Sequence, residues 1–417
     1  MNSPSGEEQR FTRIYRQESS KVLASLIRRL GNFDLAEEAL QDAWLEAVKT
    51  WRETGLPDKP IAWLMTVARR RAIDRLRRLA TAETSARKLK DLHQLESEWQ
   101  ADQQPIEDDL LRLIFTCCHP ALAPEQQIAL TLNTVAGLSV VEIARAFLVP
   151  KPTLAQRLVR AKQKIRVAGI PYRVPPPEHL AGRLDAVRSV IYLTFNEGYL
   201  ATAGDDLVRQ ELCDQAIRLG RLLKRMMPSP ESGGLLALML LNDARRPARS
   251  SDTNSYIPLD EQDRALWEQE KIALGRSVLL RALSQNRPGP YQIQAAISAI
   301  HSESASDADT DWQQIAGLYD ALEEHAPSPV VTLNRAVAMA KAESVEQALE
   351  LLATLAERLK DYQPYHAAHA DLLSRAGMDQ SAVKAYRRAI ELTRNQAECD
   401  FLNIRLAALV SAQTKAS

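Results

Sequence analysis

The sequence predicts an all-α protein in which two small helical domains, joined by a linker, are followed by a longer helical extension. Apolar residues recur at intervals of three and four over most of the 417 positions, which is the spacing of one buried helix face. Residues 138–166 divide into two short helices around a tight turn, and an internal repeat occurs beyond residue 312. Both features favour helix-on-helix packing.

The composition is that of a folded protein, with 45% apolar and 25% charged residues. The net charge is zero, but residues 1–173 contain 27 Lys and Arg against 21 Asp and Glu, and the remainder contains 26 against 32. We therefore expect only the N-terminal half to meet a polyanion. There is no apolar run long enough for a membrane span, no signal-peptide core and no disulfide framework, so we expect a cytoplasmic protein without membrane contact.

The first two predicted helices, residues 11–31 and 34–51, each combine an apolar stripe with a polar face. Gly31 suits the C-cap of the first helix, and Asp34 is predicted to cap the second. The polar face of the second helix carries Glu37, Glu38, Gln41, Asp42 and Glu46. Such a face suits a partner of opposite charge.

The third predicted helix, residues 60–79, is rich in arginine. Its basic residues are Arg69, Arg70, Arg71, Arg75, Arg77 and Arg78. This density is typical of a phosphate-binding surface, and Trp63 offers an aromatic ring on which an unpaired base can stack. The alternative is a solvated, salt-bridged helix face with Trp63 in the core.

Residues 138–166 have the pattern of a helix-turn-helix. A short helix over 139–147 is followed by a break at 148–151 and by a second helix from Pro152. The second helix has an apolar stripe and a polar, basic opposite face, as a helix that reads the DNA major groove requires. The stripe consists of Leu154, Leu158, Ala161 and Ile165. The alternative is a pair of ordinary bundle helices with a solvated basic face.

The order and spacing of these three segments resemble the extracytoplasmic-function sigma factors of bacterial RNA polymerase. Residues 34–51 resemble their region 2.2, residues 60–78 their regions 2.3 and 2.4, and residues 138–166 their region 4.2. The resemblance implies domains 1–79 for region 2 and 107–173 for region 4. Ala155 occupies a position where the family usually has Lys or Arg, which leaves the promoter preference open.

The resemblance also implies a role for each polar face. Core polymerase, through the clamp helices of its largest subunit and its flap, would be bound by Glu38, Gln41, Asp42 and Glu46. The −10 promoter element would be melted and held by Trp63, Arg69, Arg70, Arg71, Arg75, Arg77 and Arg78. The −35 element would be read by Thr153, Gln156, Arg157 and Arg160, with phosphate contacts from Lys151, Lys162 and Lys164.

Residues 80–106 are polar and are predicted to form the linker between the two DNA-binding domains. Cys117, Cys118 and His119 form the one cluster that invites a metal or redox interpretation. Adjacent cysteines lack the spacing of a tetrahedral zinc site, and free cysteine is usually a small buried apolar residue. We therefore expect neither a metal nor a cofactor.

Three prolines at 175–177 separate the sigma-like part from a helical extension, divided here into 174–301 and 302–417. In the first part, helices are predicted at 179–203, 205–227, 232–244, 260–285 and 289–301. In the second part, a pattern of four mostly small or apolar residues recurs 34 positions later: Ala336, Ala348, Leu352 and Leu355 are matched by Ala370, Ala382, Tyr386 and Ala389. This period is typical of tetratricopeptide repeats, whose partner would be a peptide, another protein or another part of the same chain.

Several motifs of the extension resemble a sigma-factor subgroup with tetratricopeptide-like C-terminal regions. They are NEGY (196–199), RRPAR (245–249), LDEQDRALW (259–267), GPYQIQAAI (289–297), TDW (310–312) and SPVVTLNRAVA (328–338). The polar clusters 196–197 and 260–264 are either part of a ligand site or internal hydrogen-bond networks. The resemblance implies that the extension governs activity.

The sequence thus predicts a sigma factor, without catalysis of its own, that binds core polymerase and promoter DNA and is regulated by its extension. The alternative is a one-component helix-turn-helix regulator with a sensor domain. An acidic helix followed by an arginine-rich helix favours the sigma factor, because a repressor needs neither. An enzyme is disfavoured, since residues 174–417 contain no phosphate loop, nucleophile elbow or metal spacing.

Overall fold

The computed structural model describes residues 6–82, 106–147, 149–200, 208–249 and 256–416. Within these ranges the regular structure is helical and no β-strand occurs, which confirms the predicted all-α class. The chain divides into two compact units, Met1–Val190 and Ile191–Ser417. Of the predicted linker, residues 83–105 lie outside the described residues. None of the described helices has the length and apolar character needed to cross a membrane.

The first unit is a set of helices packed around small apolar residues. Its helices are α1 (Gly6–Leu30), α2 (Phe33–Thr54), α3 (Pro60–Ala82), α4 (Ile106–Cys117), α5 (Pro124–Thr134), α6 (Val140–Ala146) and α7 (Lys151–Val167), and α8 (Pro177–Tyr199) begins in it. On α2, Ala36, Ala43 and Ala47 are completely buried. Small side chains allow the backbones to approach closely, and α2 packs against both α1 and α3.

The junction between α1 and α2 is fixed by two caps. Gly31 ends α1 with a φ of +62°, and its N–H donates to the carbonyl of Ile27 at 2.8 Å, as predicted. Asn32, and not Asp34, caps α2, because its side chain accepts a hydrogen bond from the N–H of Leu35 at 3.1 Å. The predicted cap at Asp34 is therefore wrong, although its carboxylate in the first turn still complements the helix dipole.

The helix-turn-helix is present as α6 and α7. A capping box begins α6, in which the N–H of Ser139 donates to Glu142 at 2.7 Å and the N–H of Glu142 donates to Ser139 at 3.2 Å. Lys151 begins α7, with Pro152 in its first turn. The apolar stripe of α7 is confirmed, since all four of its residues are buried: Leu154, Leu158, Ala161 and Ile165.

The second unit is organised around a helix that is buried on nearly all sides. Its helices are the end of α8, α9 (Gln210–Met226), α10 (Pro230–Asp243), α11 (Gln269–Leu283), α12 (Pro290–Glu303), α13 (Trp312–His325), α14 (Pro329–Ala342), α15 (Val345–Ala353), α16 (Gln363–Arg375), α17 (Asp379–Leu392) and α18 (Gln396–Ala416). The central helix is α10, which packs against α9, α11 and α12. Gly234 permits this approach, because a Cβ there would lie 2.6 Å from the backbone nitrogen of Gln292.

One predicted helix of this unit is wrong over its first third. Instead of a helix from residue 260, the chain forms two 3₁₀ turns, Leu259–Glu261 and Arg264–Leu266, and α11 begins only at Gln269. The side chain of Asp263 accepts a hydrogen bond from the N–H of Ala265 at 2.9 Å, which favours a turn over a continuing helix.

The 34-residue repeat corresponds to two successive helix pairs. The pair α14–α15 begins at 329 and 345, and the pair α16–α17 begins at 363 and 379, so both starts differ by 34. All eight repeated residues are buried: Ala336, Ala348, Leu352, Leu355, Ala370, Ala382, Tyr386 and Ala389. The repeat thus marks the packed face of each pair. Its assignment to the tetratricopeptide class stays a prediction.

Candidate nucleic-acid interface

The acidic face of α2 and the basic face of α3 are joined by ion pairs. Arg70 and Arg71 each donate to one carboxylate oxygen of Glu46 at 2.6 Å. Arg75 donates to Asp42 at 2.9 Å and also to Glu38. The sequence predicts two separate surfaces for these residues, whereas in the structure ion pairs connect them into one network.

This network shifts the protonation equilibria of its members. Burial alone would raise the pKa of Glu46, but the hydrogen bonds from Arg71 and Arg70 outweigh it and lower that pKa. The hydrogen bond to Asp42 raises the pKa of Arg75. Glu46 keeps 26% of its side chain accessible and Arg70 keeps 59%, so water screens the pairs and each contributes modestly to stability.

The remaining arginines of α3 are one in the middle of the helix and two near its C-terminal end. Arg77 and Arg78 are exposed and Arg69 is half-buried. The Nε of Arg78 donates to the backbone carbonyl of Asp74 at 3.3 Å. The basic surface of α3 is therefore a mixture of ion-paired arginines and more exposed ones towards its C-terminal end.

Trp63 is the most accessible of three tryptophans whose rings contact one another in sequence. Its ring meets that of Trp51 edge-on, with 5.3 Å between ring centres, and Trp51 meets Trp44 at 5.7 Å. Trp44 and Trp51 are buried, whereas Trp63 is only half-buried. The ring of Trp63 thus packs against the core on one side and keeps part of its surface accessible to solvent. Gln41 and Leu45 are exposed on α2, with 60% of Leu45 accessible, and sequence reasoning missed this leucine.

The polar face of α7 is accessible, as a groove-reading helix requires. Thr153, Gln156 and Arg160 are exposed, and so is Lys164 one turn further on. Arg157 is half-buried at the border of the apolar stripe. The structure therefore brings these predicted residues together on one face, whereas Lys151, the first residue of the helix, is exposed at its N-terminal end.

Lys162, expected to contact phosphate, bonds to α2 instead. Its Nζ lies 2.6 Å from the carboxylate of Glu37 and 3.9 Å from that of Asp34, and only 13% of its side chain is accessible. These partners are far apart in sequence, so helix periodicity could not reveal them. A cleft of about 520 Å³ beside this ion pair is lined by residues of both helices, among them Asp34 of α2 and Lys162 of α7.

A second contact between the region 2-like and region 4-like helices centres on Asp109 of α4. Its fully buried carboxylate lies 2.7 Å from the Nε of Arg28 on α1 and 2.7 Å from Arg112. The hydroxyl of Tyr172 lies 2.8 Å from the carbonyl oxygen of Ala24 and 2.9 Å from that of Asp109. This contact was missed in the sequence analysis; an acid on the apolar side of a predicted helix is the signal that could have indicated it.

Cys117 and Cys118 are buried at the end of α4. Their sulfurs lie 3.2 Å from the hydroxyl of Thr134 and 3.4 Å from that of Thr131, respectively. Burial raises the pKa of Cys118 to about 11, so the thiolate that binds metals or oxidants is scarce at neutral pH. In the described part of the chain, no three His, Cys, Asp or Glu side chains group closely enough to hold a metal ion.

Family comparisons match three parts of the chain. Residues 14–81 match Sigma-70 region 2, and residues 112–165 match Sigma-70 region 4. Residues 183–283 match a family of unknown function, DUF6596. No solved structure matches the chain significantly.

Comparisons with individual proteins agree with this division. An uncharacterized protein, R00370, of Rhizobium meliloti is 46% identical over 93% of this chain and 92% of its own length. The ECF RNA polymerase sigma factor SigK of Mycobacterium ulcerans is 27% identical over 39% of this chain and 86% of its own length. SigK of Mycobacterium bovis is 29% identical over 37% and 83%, respectively. The similarity to SigK thus covers less than half of this chain, and the similarity to R00370 covers almost all of it.

Proposed function

Because the chain belongs to the ECF RNA polymerase sigma factors and carries a long C-terminal extension, we propose that it binds core polymerase and directs initiation at specific promoters. This family consists of non-enzymatic initiation factors that act with RNA polymerase on promoter DNA. The observation that carries the proposal is the accessible polar face of α7, presented by a helix whose opposite side is buried.

Recognition of the −35 element is assigned to α7. Arg157 and Arg160 suit guanine and Gln156 suits adenine, because their side chains match the hydrogen-bonding edges of these bases in the major groove. Thr153 adds a hydroxyl to the same face. Lys151 and Lys164 are assigned phosphate contacts, which fix the register of the helix on DNA without specifying sequence.

The −10 element and core polymerase are assigned to the α2–α3 pair. Trp63 offers a half-accessible ring for a flipped or stacked base, and the exposed Arg77 and Arg78 extend a basic track from it. Gln41 and Leu45 form the exposed centre of the docking face, with Glu38, Asp42 and Glu46 at its edge. An exposed leucine ringed by polar residues is the usual composition of a helix-docking surface.

Regulation is assigned to the extension. The helix pairs α14–α15 and α16–α17 repeat with the period and the buried small residues of a tetratricopeptide array. This array would bind a peptide, another protein or a segment of the same chain. Binding of that partner would change the fraction of sigma factor molecules that are bound to polymerase.

The test is run-off transcription with purified core polymerase on genomic fragments. The doubly substituted R157A/R160A variant should bind its promoter about tenfold or more weakly and discriminate less among −35 sequences. R166A is the matched control, because Arg166 is an exposed arginine on another side of α7. Undiminished, equally selective transcription by R157A/R160A would contradict the assignment of α7. If the unaltered chain supports no initiation, the one-component regulator becomes the better account.

The docking face needs a separate variant, because Asp42 and Glu46 also hold arginines of α3. Gln41→Lys changes the charge of the exposed face and disturbs no hydrogen bond found among the described residues. It should lower the affinity for core polymerase while the helical circular dichroism remains unchanged. Thr66→Lys, on the exposed side of α3, is the control. Equal affinity of all three proteins would show that the docking face lies elsewhere.

A further inference from the structure

Side chains from three sequence motifs of the second unit lie close together. The proposed function does not use these motifs. The guanidinium of Arg249, from the motif RRPAR, lies 3.8 Å above the ring of Tyr199, from NEGY. Arg245 of the first motif and Arg264 of LDEQDRALW lie 5.9 and 5.0 Å from the ring centre of Trp267. The three motifs thus build one cluster of arginines and aromatic rings.

Among the described residues, the hydrogen-bond partners of these arginines are neutral groups. Arg245 donates to the side-chain oxygen of Asn242, and Arg249 bonds to the hydroxyl of Tyr199. Arg264 donates to two backbone carbonyls, at 2.8 and 2.6 Å, and lies 3.3 Å from a threonine hydroxyl. The Nε atoms of Arg245 and Arg249 have no hydrogen-bond partner. Within the described ranges, none of the three forms an ion pair with a carboxylate.

Burial makes this lack of counter-charge costly. Arg245 is 6% exposed and Arg249 is 7% exposed, and a buried cation is stable only when an anion or several strong acceptors compensate it. The nearby carboxylate of Asp243 is already engaged by Lys271 at 2.6 Å. The carboxylate of Glu398 is close enough for the charge of Arg249 to lower its pKa, although burial raises that pKa overall, and its hydrogen-bond partner is the hydroxyl of Thr393 at 3.2 Å.

Four tyrosines lie around the arginines. Tyr192, Tyr199, Tyr256 and Tyr319 each keep part of their surface accessible. Burial nevertheless raises the pKa of Tyr192 and Tyr256, and that of Tyr319 to about 12. For Tyr199, burial would also raise the pKa, but the charges of Arg245 and Arg249 outweigh it and lower it.

We propose that this cluster is a binding site for a small molecule bearing an oxyanion, a carboxylate or a phosphate ester. Arg245 and Arg249 would hold the oxyanion, since their planar N–H groups match two oxygens at once. The tyrosines would cover the remainder of the molecule and keep water from it. The bound oxyanion would supply a counter-charge in direct contact with these two arginines, which no carboxylate among the described residues does.

The test is isothermal titration and thermal unfolding of the full-length protein with two probes, inorganic phosphate and succinate, against sodium chloride of equal ionic strength. At least one probe should bind saturably and raise the unfolding temperature by about 2–5 °C. A stronger response to phosphate assigns a phosphate ester, and a stronger response to succinate assigns a carboxylate. Failure of both probes to exceed sodium chloride would overturn the proposal.

Two substitutions separate a binding role from a structural one. R249Q should lower probe affinity at least tenfold, yet in the absence of anion it should unfold at the same or a higher temperature, because it removes an uncompensated buried cation. R249K keeps the charge but loses the two-oxygen geometry, and it should bind several-fold more weakly. R225Q, at an exposed arginine of α9, is the control and should bind as the unaltered chain does. Undiminished binding by R249Q and R249K would refute the site.

Discussion

Asp109→Asn is the substitution for which the structure gives the clearest expected magnitude. The carboxylate of Asp109 is fully buried and lies 2.7 Å from both Arg28 and Arg112. Removing one partner of a buried ion pair costs about 3–5 kcal/mol. Asparagine keeps one acceptor oxygen, and the two arginines remain about one-fifth accessible, so we expect a loss just below that range, about 2–3 kcal/mol.

Hydrogen exchange of peptides from α1 and α4 measures this loss locally, which matters in a chain of two units. A loss of about 2–3 kcal/mol corresponds to exchange that is about 30- to 150-fold faster. Peptides from α16 and α17, in the other unit, should be unchanged. Asp34→Asn is the matched control, because Asp34 is 68% accessible and its cation is 3.9 Å away. Exchange of the D109N peptides within about threefold of the unaltered chain would refute the role of this buried pair.

Three further changes test other parts of the fold. Gly234→Ala should destabilise the second unit strongly, because the added Cβ would lie 2.6 Å from a backbone nitrogen. Gly317→Ala should stabilise this unit by about 0.5–1 kcal/mol, because an added Cβ there has no atom within 4 Å. Urea unfolding measures both changes. Iodoacetamide at pH 8 should modify Cys399, which is partly accessible, and spare Cys118 until the chain is unfolded, as mass spectrometry would show. Glu46→Gln should cost about 0.5–1 kcal/mol at pH 7 in urea unfolding. The pKa of Glu46 is lowered in the folded protein. The difference in stability between the E46Q variant and the unaltered chain should therefore be present above the ordinary glutamate pKa and vanish as the pH falls through the pKa of the folded protein. A stability difference that does not depend on pH would contradict the ion pair.

Local patterns in the sequence predicted most of the helices and the orientation of α7. The apolar stripe of α7 and the buried residues of the repeat follow from periodicity, which reports which side of a helix is covered. The C-cap at Gly31 follows from the conformational freedom of glycine at positive φ. These features depend only on residues that are close in sequence.

The pairings between helices could not be predicted in this way. Arg75 bonds to Glu38 and Asp42 across 37 and 33 positions, and Lys162 bonds to Glu37 across 125. Periodicity places each of these charges on a polar face but does not say which other face covers it. The same limit applies to Arg245 and Arg249, because the sequence does not show that no carboxylate among the described residues forms an ion pair with them.

The ion pairs between α2 and α3 also determine how DNA binding should respond to salt. A bare arginine that meets a phosphate releases a condensed cation from the DNA, whereas an arginine already neutralised by a carboxylate releases few. Six bare arginines on single-stranded DNA would give a slope of about −4 in a plot of log K against log salt concentration. Because Arg70, Arg71 and Arg75 are already compensated, the contribution of α3 should be clearly smaller in magnitude than that. Promoter melting by this chain would then tolerate changes in ionic strength better than its arginine content implies.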